Sequence, residues 1–254
     1  MTKLQVLKFP AYYTQKNIDL INNKKPDIFI FDDNFCSSLD KIKLPNSIIY
    51  LDLGKNFNYS LDNIKLPKYL KKLKFSDNFV YSIENVKLPE NLEIIEFGKN
   101  YNISLFTAKF PNSLKEIHFQ DIFNNTIPYF LPEQIEKLIF GIGYDYSINY
   151  FVVPNNLKYL CINGLETNKP LLNSLPENLK TLEIINCLEI DLVNLPFLLE
   201  EIIFNIEKDN FTNQTNLPIE LKKIKLREKS YIKKLKIPYG CIIVDMDNNL
   251  IKDD

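Results

Sequence analysis

The 254-residue chain reads as an internally repeated solenoid with a parallel sheet along one side. Three observations predict it. Prolines recur at a nearly fixed interval, an apolar alternation follows each one, and an aromatic column recurs with the same period. Self-similarity of this length is the signature of stacked structural units rather than of one globular core.

The prolines set the frame. Pro45, Pro67, Pro89, Pro111, Pro132, Pro154, Pro176, Pro196, Pro218 and Pro238 are separated by 22, 22, 22, 21, 22, 22, 20, 22 and 20 residues, and each follows an apolar residue. After each comes Pro-x-x-apolar-x-x-apolar-x-apolar, as in Pro67-Lys68-Tyr69-Leu70-Lys71-Lys72-Leu73-Lys74-Phe75. The alternating end of that pattern is a short strand with one face inward. Proline lacks the N–H a central strand needs, so it marks the entry to the strand. A period this short leaves no room for a strand plus a long helix. The return legs are therefore expected to be extended or 3-10 turns, and the strands to stack about 4.8 Å apart.

The return legs are patterned as well. Phe35, Phe57, Phe79, Tyr101, Phe123 and Tyr144 occupy one position and are expected to stack inside the turns. Asn34, Asn56, Asn78 and Asn100 stand one residue earlier and are expected to point inward, bonding backbone groups that a non-helical turn leaves unpaired. The unit Leu44-Pro45-Asn46-Ser47-Ile48-Ile49-Tyr50-Leu51-Asp52-Leu53-Gly54-Lys55-Asn56-Phe57-Asn58-Tyr59-Ser60-Leu61 resembles the FNIP repeat, a short variant of the leucine-rich repeat found mainly in social amoebae and giant DNA viruses. The resemblance covers about residues 28–246, is close from Phe31 to Pro111, and keeps only the Leu-Pro and strand half from Asn163 onward. It implies a leucine-rich-repeat solenoid of the α/β horseshoe class, mostly β, with about eleven short strands. Members often carry an F-box ahead of the repeats. Only about 27 residues precede the first predicted strand here, too few for that domain, so a ubiquitin-ligase adaptor role is not carried over.

Three segments follow from this reading: an N-terminal cap over 1–27, the solenoid over 28–246 and a C-terminal tail over 247–254. Ile18, Leu20 and Ile21, ahead of Pro26, predict a short capping helix between Tyr12 and Asn23. Ile28 to Phe31 is the first predicted strand and Cys241 to Met246 the last, with a polar tail shielding the exposed edge.

Composition narrows the function classes. The formal charge is −1 with a pI near 6.0, which supplies no basic footprint for nucleic acid and no polybasic membrane patch. No segment approaches a membrane span, and the start lacks a secretory h-region. Cys36, Cys161, Cys187 and Cys241 form no CxxC pair and are expected as free thiols in a reducing compartment. The expected location is the cytoplasm, or the host cytoplasm or a virion for a viral source. Five Asn-x-Ser/Thr matches, among them Asn210-Phe211-Thr212 and Asn213-Gln214-Thr215, are attributed to the Asn-rich composition. His118 is the only histidine, so a His-rich metal site is excluded and no triad is evident. No GxGxxG or GxxxxGK[ST] is present, and Gly141-Ile142-Gly143 falls in a repeat turn. No cofactor and no enzymatic activity are expected.

The remaining expectation is a protein-interaction module that presents its sheet face, the usual binding surface of a solenoid. Read by alternation, that face carries Tyr50, Lys72, Glu96 and His118 in the first half, and Ile139, Tyr159, Cys161 and Ile203 in the second. The last four are expected to form an exposed apolar patch. Lys71, Glu93, Lys115, Glu136 and Lys158 alternate in charge along the border and are expected to fix rung register. A self-assembling, particle-associated protein is the alternative, compatible with a homo-oligomer. A glycan-binding protein is the weaker one, since Tyr50 and Tyr159 lie five rungs apart.

Overall fold

A computed structural model describes residues 4–12, 14–144, 151–163, 175–185, 192, 194–206 and 216–251. Among these residues, twelve strands form one sheet in which each strand pairs with the next in the chain. They are β1 (Val6–Phe9), β2 (Ile28–Phe31), β3 (Tyr50–Asp52), β4 (Lys72–Lys74), β5 (Ile94–Glu96), β6 (Glu116–His118), β7 (Lys137–Ile139), β8 (Tyr159–Asn163), β9 (Thr181–Ile185), β10 (Glu201–Asn205), β11 (Lys223–Leu226) and β12 (Ile242–Val244). Every pairing is parallel. The register follows the proline period, so Leu51, Leu73, Ile95, Ile117 and Leu138 stand in one buried row.

Proline acts as expected at the strand entry. Its carbonyl accepts from the N–H three residues on, as in Leu70 to Pro67 (3.1 Å), Leu92 to Pro89 (3.0 Å) and Leu114 to Pro111 (3.1 Å). That closed turn delivers the chain into the sheet. The return legs are built of further turns of the same kind, such as Ile64 to Leu61 and Tyr101 to Gly98. Serine tightens each corner: Ser60, Ser82 and Ser104 Oγ accept from the N–H of Asp62, Glu84 and Phe106.

The core is a stack of aromatic rings. Phe35, Phe57, Phe79, Tyr101 and Phe123 lie 6.3, 6.3, 6.1 and 6.3 Å apart in succession, nearly parallel, and Tyr144 continues the column at 5.8 Å. A second column runs beside it. Phe75, Phe97, Phe119 and Phe140 stack at 5.2, 5.1 and 5.3 Å, closing the strand side of each rung.

Three expectations are corrected. First, the sheet begins at β1 rather than at Ile28. Val6 pairs with Ile28, 22 residues on, so the repeat frame extends one rung earlier. The helix α1 (Gln15–Lys24), capped by Thr14, lies between β1 and β2 in the chain, where later rungs have turns; Ile21 is buried on it. Second, β12 sits one residue out of the predicted frame. Ile243, not Val244, pairs with Ile224, so Ile243 points inward and Asp245 lies beyond the strand. Third, the asparagine column faces outward. Asn78 Nδ2 donates to Asn56 Oδ1 and Asn100 Nδ2 to Asn78 Oδ1, both at 2.8 Å. The ring one residue later fills the interior, and in a tight turn the preceding side chain then projects to solvent. Cys187 and the two acceptor matches at Asn210 and Asn213 lie outside the described residues.

Candidate functional site

On the outer face of the sheet, long polar side chains reach across rungs. Tyr50 Oη donates to Asp52 at 3.2 Å, and Lys74 Nζ meets the same carboxylate at 3.0 Å. Lys72 Nζ lies 5.2 Å from the Tyr50 ring centre and 2.7 Å from Glu96. His118 stands between two carboxylates, its Nε2 2.9 Å from Glu116 and its Nδ1 3.6 Å from Glu96. His118 and Lys72 together hold the Glu96 carboxyl down at about 2, although partial burial acts the other way. Tyr50, Lys72, Glu96 and His118 thus form one connected network.

The second half of the face differs from its expected character. Cys161 and Ile203 are only 5% and 9% exposed, so no open apolar patch forms with Ile139 and Tyr159. Neighbouring polar groups bond over this strip. Tyr159 Oη donates to Glu183, Asn205 Nδ2 donates to the other Glu183 oxygen at 3.1 Å, and Arg227 donates to Asn205 at 3.1 Å. Lys137 Nζ stands 4.9 Å from the Tyr159 ring centre. Burial raises the Cys161 thiol well above its ordinary range, with the Glu183 charge adding to it, so this sulfur stays protonated and unreactive. Tyr50 and Tyr159 lie in strands β3 and β8, each beside a lysine, and do not come together.

The border ladder extends further than its sequence pattern showed. Glu93 bridges Lys71 (3.0 Å) and Lys115 (3.2 Å), Glu136 pairs with Lys158 (3.0 Å), and Glu200 bridges Lys180 (2.9 Å) and Lys222 (2.8 Å). Each exposed pair contributes only about 0–1 kcal/mol. Among the described residues no cluster of His, Cys, Asp and Glu is arranged to hold a metal ion. No helix among them is long and apolar enough to cross a membrane.

Large apolar side chains are exposed on the return side instead. Phe106 is 61% exposed, Phe130 72%, Tyr129 50% and Val152 43%. Tyr129 and Phe130 make an edge-to-face pair with centroids 4.6 Å apart. Phe130 and Val152 sit on adjacent rungs joined by a parallel bridge, with Val152 N–H donating to Tyr129 O at 2.8 Å. Phe106 lies on the rung before, where Leu105 N–H donates to Thr126 O. Face-by-face reading of the strands does not reach this patch. Its signal is the residue before each apolar-Pro step, which is lysine through the first rungs and turns apolar at Phe130 and Val152.

The repeat geometry now meets the known proteins it resembles. Three overlapping stretches, residues 35–78, 57–100 and 79–121, match the family described as FNIP Repeat. Residues 35–121 carry FNIP repeats. No curated protein matches the sequence. The crystal structure of CroV588, a giant-virus protein described as a novel circular LRR protein, is similar over 96% of this chain, with a TM-score of 0.68 at 21% identity. The present chain spans 41% of the length of that one. At this identity the likeness bears on fold, and the fold of this chain is a leucine-rich-repeat-like solenoid.

Proposed function

We propose that the chain is a non-enzymatic protein-interaction scaffold whose contact surface includes the return-side patch of Phe106, Tyr129, Phe130 and Val152. The observation that carries this reading is the clustering of Tyr129, Phe130 and Val152 on adjacent rungs, all well exposed, with the exposed Phe106 on the rung before. Large aromatic groups on a water-facing surface lose favourable burial energy unless another surface covers them. The aromatic residues of such a patch are also the types that dominate binding energy at protein interfaces. The sheet face supports the reading from the other side. Its polar groups are already bonded to one another, which gives a stiff support beneath the patch.

Site-specific photo-crosslinking tests the proposal. A photoreactive residue replaces Phe130 in one protein and Tyr239 in another, Tyr239 being fully exposed away from the patch. Both are irradiated in extract of the source cells and analysed by mass spectrometry. The Phe130 probe is expected to capture one discrete protein that the Tyr239 probe does not. Identical adduct profiles for the two probes would overturn the proposal.

A further inference from the structure

Lysine stands immediately before the apolar-Pro step in four successive rungs, as Lys43, Lys65, Lys87 and Lys109. All four are exposed, and none forms an ion pair among the described residues. Lysines on the sheet face, its border and the asparagine turn of these rungs behave differently. Lys55 pairs with Asp33 at 2.7 Å, Lys71 with Glu93 at 3.0 Å, Lys72 with Glu96 at 2.7 Å and Lys74 with Asp52 at 3.0 Å. Four like charges therefore recur once per rung in one column with no counter-charge paired to them. The neighbouring acidic column, Asp40, Asp62 and Glu84, stands three residues upstream around the turn and ends where Phe106 takes its place.

The column borders a trough. One concavity of about 360 Å³ lies between Lys43 and Lys65, and a second of about 650 Å³ between Lys65 and Lys87. They share Asn46, Asn63, Ile64 and Lys65, so the trough is continuous across the rungs. Its lining combines apolar side chains with amides and lysines, and it includes Asp40, Asp62 and Glu90. Past Lys109 the same column passes to Phe130 and then Val152. One axial strip thus carries four cations at one end and exposed apolar groups at the other.

We propose that this strip docks an acidic polypeptide segment of the partner, laid along the solenoid axis. Its carboxylates meet Lys43, Lys65, Lys87 and Lys109, and its apolar residues cover Phe130 and Val152. The proposal rests on the reading of the chain as an interaction scaffold and adds the chemistry of the partner. Nucleic acid would satisfy the lysines by charge alone. Beyond its base faces and the thymine methyl it offers little apolar surface to the lining of the trough or to Val152, so the observations favour a peptide.

The test is fluorescence anisotropy on the full chain at low and at physiological ionic strength. The probes are a labelled peptide joining a glutamate block to a Phe-Leu-Phe block, made in both orders, and labelled oligothymidylate. One peptide order is expected to bind. The double reversal Lys65→Glu and Lys87→Glu should weaken it about tenfold or more with an unchanged melting temperature. Phe130→Ser should weaken it while leaving the salt dependence in place. Three results would each overturn the proposal: no peptide binding, equal binding to the double reversal, or oligothymidylate binding as tightly as the peptide. Crosslinking at position 130 separates this outcome from the broader one. A protein still captured there by the K65E/K87E chain removes the acidic-segment proposal and leaves the scaffold reading standing. Loss of capture at 130 in the parent chain removes the scaffold reading itself.

Discussion

Single side chains in this solenoid matter through their neighbours one rung away. Phe79 is fully buried between Phe57 and Tyr101, with ring centres 6.3 and 6.1 Å away. Phe79→Ala opens a gap in a column that cannot collapse, since the rungs above and below are held by the sheet. A loss of about 3–5 kcal/mol is expected in a denaturant titration, and an unchanged midpoint would mean the column carries no stability. Tyr101 makes the opposite case. It is the one ring hydroxyl among the described buried side chains left without a hydrogen-bond partner, and burial raises its pKa well above the ordinary tyrosine range. Tyr101→Phe removes an unsatisfied polar atom and keeps the ring, so a gain of about 1 kcal/mol is expected. A loss of stability on this change would show that the hydroxyl is bonded in solution. Glu96 sets an acid limit. Its folded pKa of about 2 lies below the ordinary 4.5. Its contribution is therefore fully present above about pH 4.5 and is lost as pH falls toward 2. Melting temperatures measured across that window should drop less steeply for Glu96→Gln than for the parent chain, and parallel curves would contradict the assignment.

At the scale of one rung, the contacts between successive backbones decide which substitutions are tolerated. A Cβ built on Gly98 would lie 1.8 Å from the Ser76 carbonyl oxygen, whereas one on Gly240 meets nothing nearby. Gly240 instead has φ +78°, which an L side chain adopts only at a cost of about 1–2 kcal/mol. Gly98→Ala must push two rungs apart, so it is expected to lower stability by about 3 kcal/mol or more, and Gly240→Ala by clearly less. Equal effects in thermal melts would mean the rungs slide past each other freely. The same rung geometry explains what could be read without coordinates. Strand spacing was legible because every inward position from Leu51 to Ile224 is apolar and proline announces each entry. β1 was not, because Val6 to Phe9 lacks that proline signal and a helix, not a turn, follows it. The direction of the asparagine column was hidden because alternation rules hold in strands and fail in turns. On the sheet face, Cys161 and Ile203 were placed at the right positions, yet their burial depends on the bonding of Tyr159, Glu183, Asn205 and Arg227, which no single position announces.

For the whole molecule, stacking buries every rung except at the two ends, and an unpaired edge strand is an invitation to pair with another chain. The far end meets this with its own tail. Asp245 accepts from the N–H groups of Asp247 and Asn249 and from the Asn249 side chain, which turns the chain back on itself. Val244 then bridges Leu250 in antiparallel sense, and Ile251 N–H donates to the Ile243 carbonyl at 2.9 Å. The tail therefore works through main-chain hydrogen bonds as an extra partial strand, not only as a polar shield. A chain stopped after Met246 keeps all twelve strands and loses this cover. It is expected to associate with rising concentration in light scattering, under conditions where the full chain shows no such change. Ile242 is an outward position on β12 and 47% exposed, so a charge there opposes pairing without touching the core. Ile242→Lys in the shortened chain should abolish the association, as lysine does on natural sheet edges. If the shortened chain scatters as the full chain does, the edge is blunt for another reason and the tail is dispensable. If it associates and Ile242→Lys leaves that unchanged, the contact runs through some other surface than β12.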